Sequence, residues 1–563
     1  MQFKQRVISQ YLYLISLTIF PFICFSQTTY LPEGSREYIL LERLEILSQK
    51  DSILNFSKIK PFSRKQFIPV IESYGRLQGS ETPSLSKVDM ANISSALAKN
   101  NEWTEEQQSS RKTFLKRFYR TPANLYEVKT NDFILTVNPV FQYYLGKEKD
   151  NDEHIFLNTR GAALRGRIAN KIGFAAYITD NQERDPIYVQ QYVKAKKAVP
   201  GQGFYKDFKK TGYDYFDARG YITFNATRYI DFQFGYDKNF IGNGYRSLLL
   251  SDISSPYLFF KINTRIWRFN YQNLFIELNS AQRLNADQLF PKKYAAIHHL
   301  DMGITKWLNL GLFEGVVFGR VNHFEFGYLN PIIFYRSIEQ QNGSIDNAVI
   351  GFDAKANVAK RFQFYGQLLV DEFNFEEIKR AKGWWGNKYG WQVGAKYINA
   401  FQIKNLDLQI ESNRVRPFTY SHRDSVANYT HYNQPLAHPL GANFQEWIGI
   451  ARYQPANKWL LEAKAFYMYR GKDSGNVSFG GNIFLPNVPP YRKNDFGYEV
   501  GSGVESKTGL ASFLISYELK PNFFIEANTV YRKEGATVID GSKSTFIFYG
   551  GIRWNMHRRD FEF

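Results

Sequence analysis

From about residue 130 onward the chain switches from a helical period to a period of two, and it keeps that period almost to its end. In Phe133, Leu135, Val137, Pro139, Phe141 and Tyr143 every second residue is apolar, while Thr136, Asn138 and Gln142 fall on the opposite face. A sandwich strand alternates in the same way, so connection lengths must decide between the two folds. Short polar or basic turns are predicted at Ala169-Asn170-Lys171, Ala226-Thr227-Arg228-Tyr229, Thr305-Lys306-Trp307, Ala359-Lys360-Arg361, Pro455-Ala456-Asn457-Lys458 and Leu519-Lys520-Pro521-Asn522. The remaining connections are long: about 181–216, 243–257, 279–294, 322–346, 374–389, 413–445 and 471–495. Short turns at one end and long loops at the other are the asymmetry of a membrane β-barrel.

Composition supports that reading. The chain holds 9 Trp, 38 Tyr and 49 Phe, yet 22% of it is charged and its mean hydropathy is −0.41. Such an aromatic content excludes a disordered chain. After residue 28 there is no run of 18 apolar residues, which argues against membrane-spanning helices. The expected fold is all-β, a transmembrane antiparallel barrel with a small N-terminal α-helical domain. About 425 residues at roughly 24 per strand and half its connections give about 16–18 strands. The last strand is expected to show Phe546, Phe548, Ile552, Trp554 and Met556 on one face, with Phe563 as an aromatic terminus.

Ahead of the barrel, Lys4 and Arg6 precede an apolar stretch from Tyr11 to Phe25 that reads as a signal peptide over residues 1–26. Its removal takes away Cys24, the single cysteine, and with it any disulfide or thiolate chemistry. It also lowers the net charge from +18 to +16. A basic exported chain meets acidic glycans, lipid headgroups or anionic surface polymers, and nucleic acid is not among its expected partners. Residues 27–127 form the expected helical head, on the periplasmic side, and 128–563 the outer-membrane barrel. Helices are predicted over 35–49, from Ser63 onward and over 84–99. A capping box is expected at Ser63 and Gln66, and a Phe62–Phe67 staple beside it.

Three long loops carry the residues with chemical potential. The first sets Lys194, Lys196, Lys197, Lys206, Lys209 and Lys210 among Tyr188, Tyr192, Phe204, Tyr205, Phe208 and Tyr213, a mixture suited either to an acidic polysaccharide or to plain solvation. The second places Trp384, Trp385, Tyr389 and Trp391 near Asp371, Glu372, Glu376 and Glu377, whose spacing does not define a glycosidase pair. The third gathers His422, His431 and His438 with Asp424 and Ser425, but gaps of nine and seven residues match no fixed metal-ligand spacing.

Four tracts carry a family likeness. YDKNFIGNGYRSLLLSDISSP from Tyr236 resembles the Wzi family of capsule-assembly outer-membrane proteins, departing at Phe240-Ile241-Gly242-Asn243, where that family shows Trp-Gly-Pro-Gly. YLPEGSREYILLERLEI from Tyr30 with KPFSRKQF from Lys60, GYLNPIIFYRSIEQQNGSIDNAVIGFD from Gly327 and YTHYNQPLAHPLGANFQE from Tyr429 are similar to Bacteroidetes members, including gliding-motility members. The resemblance implies a non-enzymatic barrel in the cell outer membrane, without cofactor, catalytic residue or metal. The partners it implies are outer-membrane lipid, surface or capsular polysaccharide and gliding machinery proteins. By motif, the polysaccharide contacts would be Asp237, Asn239, Arg246, Asp252, Asn330, Arg336, Glu339, Tyr429, His431, His438 and Asn443. Trp384 and Trp385 join them as stacking candidates. The competing reading is a porin or transport channel for anionic solutes.

Overall fold

The computed structural model describes residues 28–76, 85–106, 109, 118–280, 290–320, 323–475, 477–536 and 539–563; the expected signal peptide lies outside them. Eighteen antiparallel strands, from Phe133–Glu148 to Ile539–Trp554, form one closed barrel. The last strand pairs back onto the first, Ile547 opposite Glu148 and Trp554 opposite Phe141. All six predicted short turns join neighbouring strands at one end, and two further short connections, 267–268 and 398–405, join them there. The sorting is incomplete at the other end, where 149–153 is a five-residue link.

Polarity runs inside out. In Phe133–Glu148 the buried positions are Ile134, Thr136, Asn138, Val140, Gln142, Tyr144 and Glu148, while Tyr143 and Leu145 are exposed. The same holds around the wall, where Phe216, Ile222, Phe234, Phe364, Val393, Ile410, Trp447, Phe513 and Phe548 present apolar side chains outward. Trp267, Trp307, Phe401 and Trp459 ring the short-turn end, the placement expected of an interfacial aromatic girdle.

The lumen is filled in two layers. Helices Arg36–Ser48, Arg64–Arg76 and Lys87–Lys99 pack on one another through Leu40, Leu44, Phe67, Ile71 and Ile93. Their polar faces meet the inner wall. Arg43 clamps Asp89 at 2.9 Å and also pairs with Asp407; Glu45 takes Lys355 at 2.5 Å, Glu42 takes Lys396 at 2.5 Å, and Lys99 reaches Glu518 at 2.9 Å. Lys58 sits between Asp301 and Asp353. The Phe62–Phe67 staple forms, with ring centroids 4.8 Å apart. The box at Ser63 does not, because its hydroxyl pairs with that of Thr28 and Gln66 accepts from Arg265. The capping box belongs to Ser86 and Asp89 instead.

Toward the long-loop end the filling is apolar. Leu248, Leu249 and Leu250 are fully buried against Tyr420, Tyr429, Leu436 and the inward wall residues Phe259, Ile276 and Phe466. The final strand stops at Trp554. Asn555, with φ 53°, turns the chain inward, so Met556 is buried rather than lipid-facing. The tail then enters the lumen. Arg558 pairs with Glu462, Lys464 holds Asp560 at 2.6 Å and Glu562 at 2.8 Å, and the Phe563 ring lies 4.6 Å from Tyr192.

Candidate functional site

Most of the motif-matched candidates hold the filling together. The 239–256 segment is gripped from the wall: Glu411 accepts from the amides of Tyr245 and Arg246, and Gln367 accepts from Leu248 N–H and donates to Ile241 C=O. The Tyr429 hydroxyl donates to Leu249 C=O at 2.7 Å. His431 Nδ1 accepts from the Asn279 amide, which leaves Nε2–H to donate to Pro256 C=O at 3.1 Å. Burial lowers the His431 pKa to about 3, so the ring is neutral. Arg246 and His438 converge on Glu446, at 3.5 and 2.8 Å, and Asn413 joins them at 3.2 Å. Asn443, in the left-handed region, ties together the Gly471, Phe479 and Ser502 carbonyls and the Gly501 amide. Asn239 accepts from Lys261 in the buried wall.

Glu411 and Glu446 are the residues that sequence reasoning misses. Each sits within a strand as one polar residue of an alternating pattern, indistinguishable there from a carboxylate facing water.

Asp237 and Asp252 lie near a lumenal cavity of about 440 Å³ between the helices, residues 238–253 and the tail. Asp237 faces Arg219 at 3.7 Å, and the Asp252 carbonyl accepts from Lys238 Nζ. Burial pushes the Glu33 carboxyl well up, helped by Asp252 and Asp237, and lowers Lys238 to about 8, with Arg219 adding to the effect. Asn330, Arg336 and Glu339 are elsewhere, in the 323–346 segment, where Arg336 pairs with Glu339 at 2.9 Å.

Trp384 and Trp385 stand at the long-loop mouth. Two loops build their platform: Trp385 N–H donates to Asp495 C=O, Gly497 N–H to Lys382 C=O and Tyr498 N–H to Gly383 C=O. Gly383 has φ +65°, and a Cβ there would meet the Tyr498 nitrogen at 2.8 Å, so the seam requires glycine. The rings form a chain: Trp384 to Trp385 at 6.0 Å, Trp385 to Phe418 at 6.1 Å, Phe418 to Tyr498 at 4.9 Å. The Arg492 guanidinium lies 4.2 Å over Trp385, and the same two connections carry the exposed cations Lys379, Arg380, Lys382 and Lys493. Partly exposed indole faces beside cations can stack a sugar ring and pair with its carboxylate.

The other candidate chemistries are taken apart. Lys388 occupies Asp371 and Glu372 at 3.3 and 3.1 Å, while Glu376 and Glu377 pair with Lys379 and Arg380 on the surface. Asp424 caps the Val426 amide, and the Asp424 amide donates to His422 Nδ1. In the lysine-rich loop, Ile187–Lys196 is a helix whose Val189 and Val193 pack near Phe561 and Phe563. Lys194, Lys206, Lys209 and Lys210 remain exposed.

Fold and site together define a closed β-barrel with an apolar outer wall and an occupied lumen. Residues 162–537 match the Capsule assembly protein Wzi family, and the chain belongs to it. Among solved structures it is similar to Wzi of Escherichia coli, an outer membrane protein involved in group 1 capsule assembly and described as a carbohydrate-binding β-barrel. The TM-score is 0.56 at 14% identity, covering 93% of this chain and 98% of that one. OprD of Pseudomonas aeruginosa is also similar, with a TM-score of 0.42 at 9% identity over 75% of this chain and 94% of that one. No curated protein matches in sequence.

Proposed function

We propose that this chain is a non-enzymatic outer-membrane barrel, exported by a signal peptide removed after residue 26, that holds an acidic surface or capsular polysaccharide at the cell surface. The observation that carries this reading is the Trp384–Trp385 platform, half-buried with the Arg492 guanidinium over one ring at the long-loop mouth. Family membership and the carbohydrate binding described for the E. coli protein support it. The helical segment before residue 128 then faces the periplasm, since short turns face that side in such barrels. The test is binding of purified protein to the cell's own surface polysaccharide by calorimetry. Measurable affinity that falls in Trp384→Ala/Trp385→Ala is expected, and no affinity in the unaltered protein would sink the idea.

The four tracts also look like those of the gliding-motility protein RemB. On that resemblance the same grip on a surface polymer serves movement, with gliding machinery proteins as partners. A deletion strain is expected to lose both polysaccharide retention and spreading on agar; unchanged spreading would remove the motility role. The channel alternative is disfavoured by the two layers that occupy the lumen.

A further inference from the structure

One long loop folds outside the barrel instead of over its mouth. On the Lys292–Gly303 strand, Lys293, His299 and Asp301 point inward, toward Asn428, Asp353 and Lys58. Tyr294, Ala296 and His298 must therefore point outward. His298 stands opposite Asn273 on one neighbouring strand and Glu314 on the other, so all three polar groups share the lipid-facing side. Outward residues such as Phe352 and Phe548 elsewhere on the wall are 40% and 51% exposed, yet Asn273, His298 and Glu314 are at most 7% exposed.

Residues 323–346 cover them. The Tyr335 ring lies 3.9 Å from His298, the Arg336 amide donates to Glu314 at 2.9 Å, and the Tyr271 hydroxyl donates to Pro331 C=O. Arg320 and Tyr328 anchor the segment on Asp346. Its far side is apolar, with Phe326 82% and Ile332 87% exposed and Phe334 more than half exposed, continuous with the apolar wall.

We infer that residues 323–346 form a strap embedded in the leaflet on the long-loop side, which seats Phe326, Ile332 and Phe334 among lipid acyl chains and screens Asn273, His298 and Glu314 from them. An unscreened carboxylate and imidazole at that height would face hydrocarbon, which is costly, and exposed apolar side chains flush with a lipid-facing wall have lipid as their natural neighbour. The inference rests on the barrel's spanning the membrane and is independent of the polysaccharide.

The test uses the full chain carrying Cys24→Ser, with an NBD label at Ile332→Cys, at Phe352→Cys on the bare wall, or at Lys206→Cys in an exposed loop, in phosphatidylcholine vesicles. Brominated lipid is expected to quench the labels at 332 and 352 within twofold of each other, and aqueous iodide to quench only that at 206. Iodide quenching at 332 with no lipid quenching overturns the strap, and so does a label at 332 shielded from both quenchers when the unlabelled Ile332→Cys protein oxidises to a disulfide-linked dimer. Absence of lipid quenching at 352 would refute the membrane-spanning reading as well, so the two failures are separable.

Discussion

At residue 355 a lysine from the wall is wholly buried beside Glu45 of the first helix, and it also donates to the Asn55 carbonyl and the Ser57 hydroxyl. Removing one partner of such a pair leaves a buried charge uncompensated, which costs about 3–5 kcal/mol. Lys355→Met should therefore lower the unfolding midpoint in detergent, and Glu45→Gln added to it should recover part of the loss. His431 gives a pH signature. Its neutral ring accepts the Asn279 amide proton, and protonating Nδ1 would set two N–H groups against each other. With a folded pKa of about 3 and an unfolded value near 6.5, its contribution is complete above pH 6.5 and is lost as pH falls toward 3. The slope is about 1.4 kcal/mol per pH unit over that window. His431→Gln should flatten the acid limb of a pH series of unfolding midpoints, and an unchanged limb would refute the assignment.

At the scale of elements, the seam between the 373–387 and 473–503 connections sets the indole pair. If each stacked aromatic contributes on the order of 1 kcal/mol, Trp384→Ala/Trp385→Ala should weaken polysaccharide binding about tenfold or more without moving the unfolding midpoint. Gly383→Ala should weaken binding through the seam instead, visible as lost affinity with both indoles present. The strands and short turns were legible because alternation and basic turn residues such as Lys171, Lys306 and Lys360 are local signals. The turn at Trp267-Arg268 was not, since its residues continue the aromatic and basic pattern of the strands on either side. The paths of the long loops were illegible for another reason. SLLL at 247–250 is as apolar as a strand, and only Tyr420, Tyr429 and Gln367, more than a hundred residues away, make it the centre of the lumen.

Across the whole molecule, two layers of filling and an inward C-terminal tail leave a charged cavity where a porin would have a channel. Purified protein in a planar bilayer should therefore show no steady conductance; a stable ohmic channel would restore the transport reading. The sequence by itself determined the barrel, because a period of two with apolar residues on one face can be satisfied in only a few ways, and the sorted connections choose among them. It also determined the helical character of the segment before the barrel. What it could not decide is which buried charges meet, that Glu411 and Glu446 organise the interior, and that residues 323–346 lie outside the wall. Those depend on pairs far apart in the chain, Lys355 with Glu45 or His298 with Tyr335, whose side chains carry no local mark of their partners until the strands close into a cylinder.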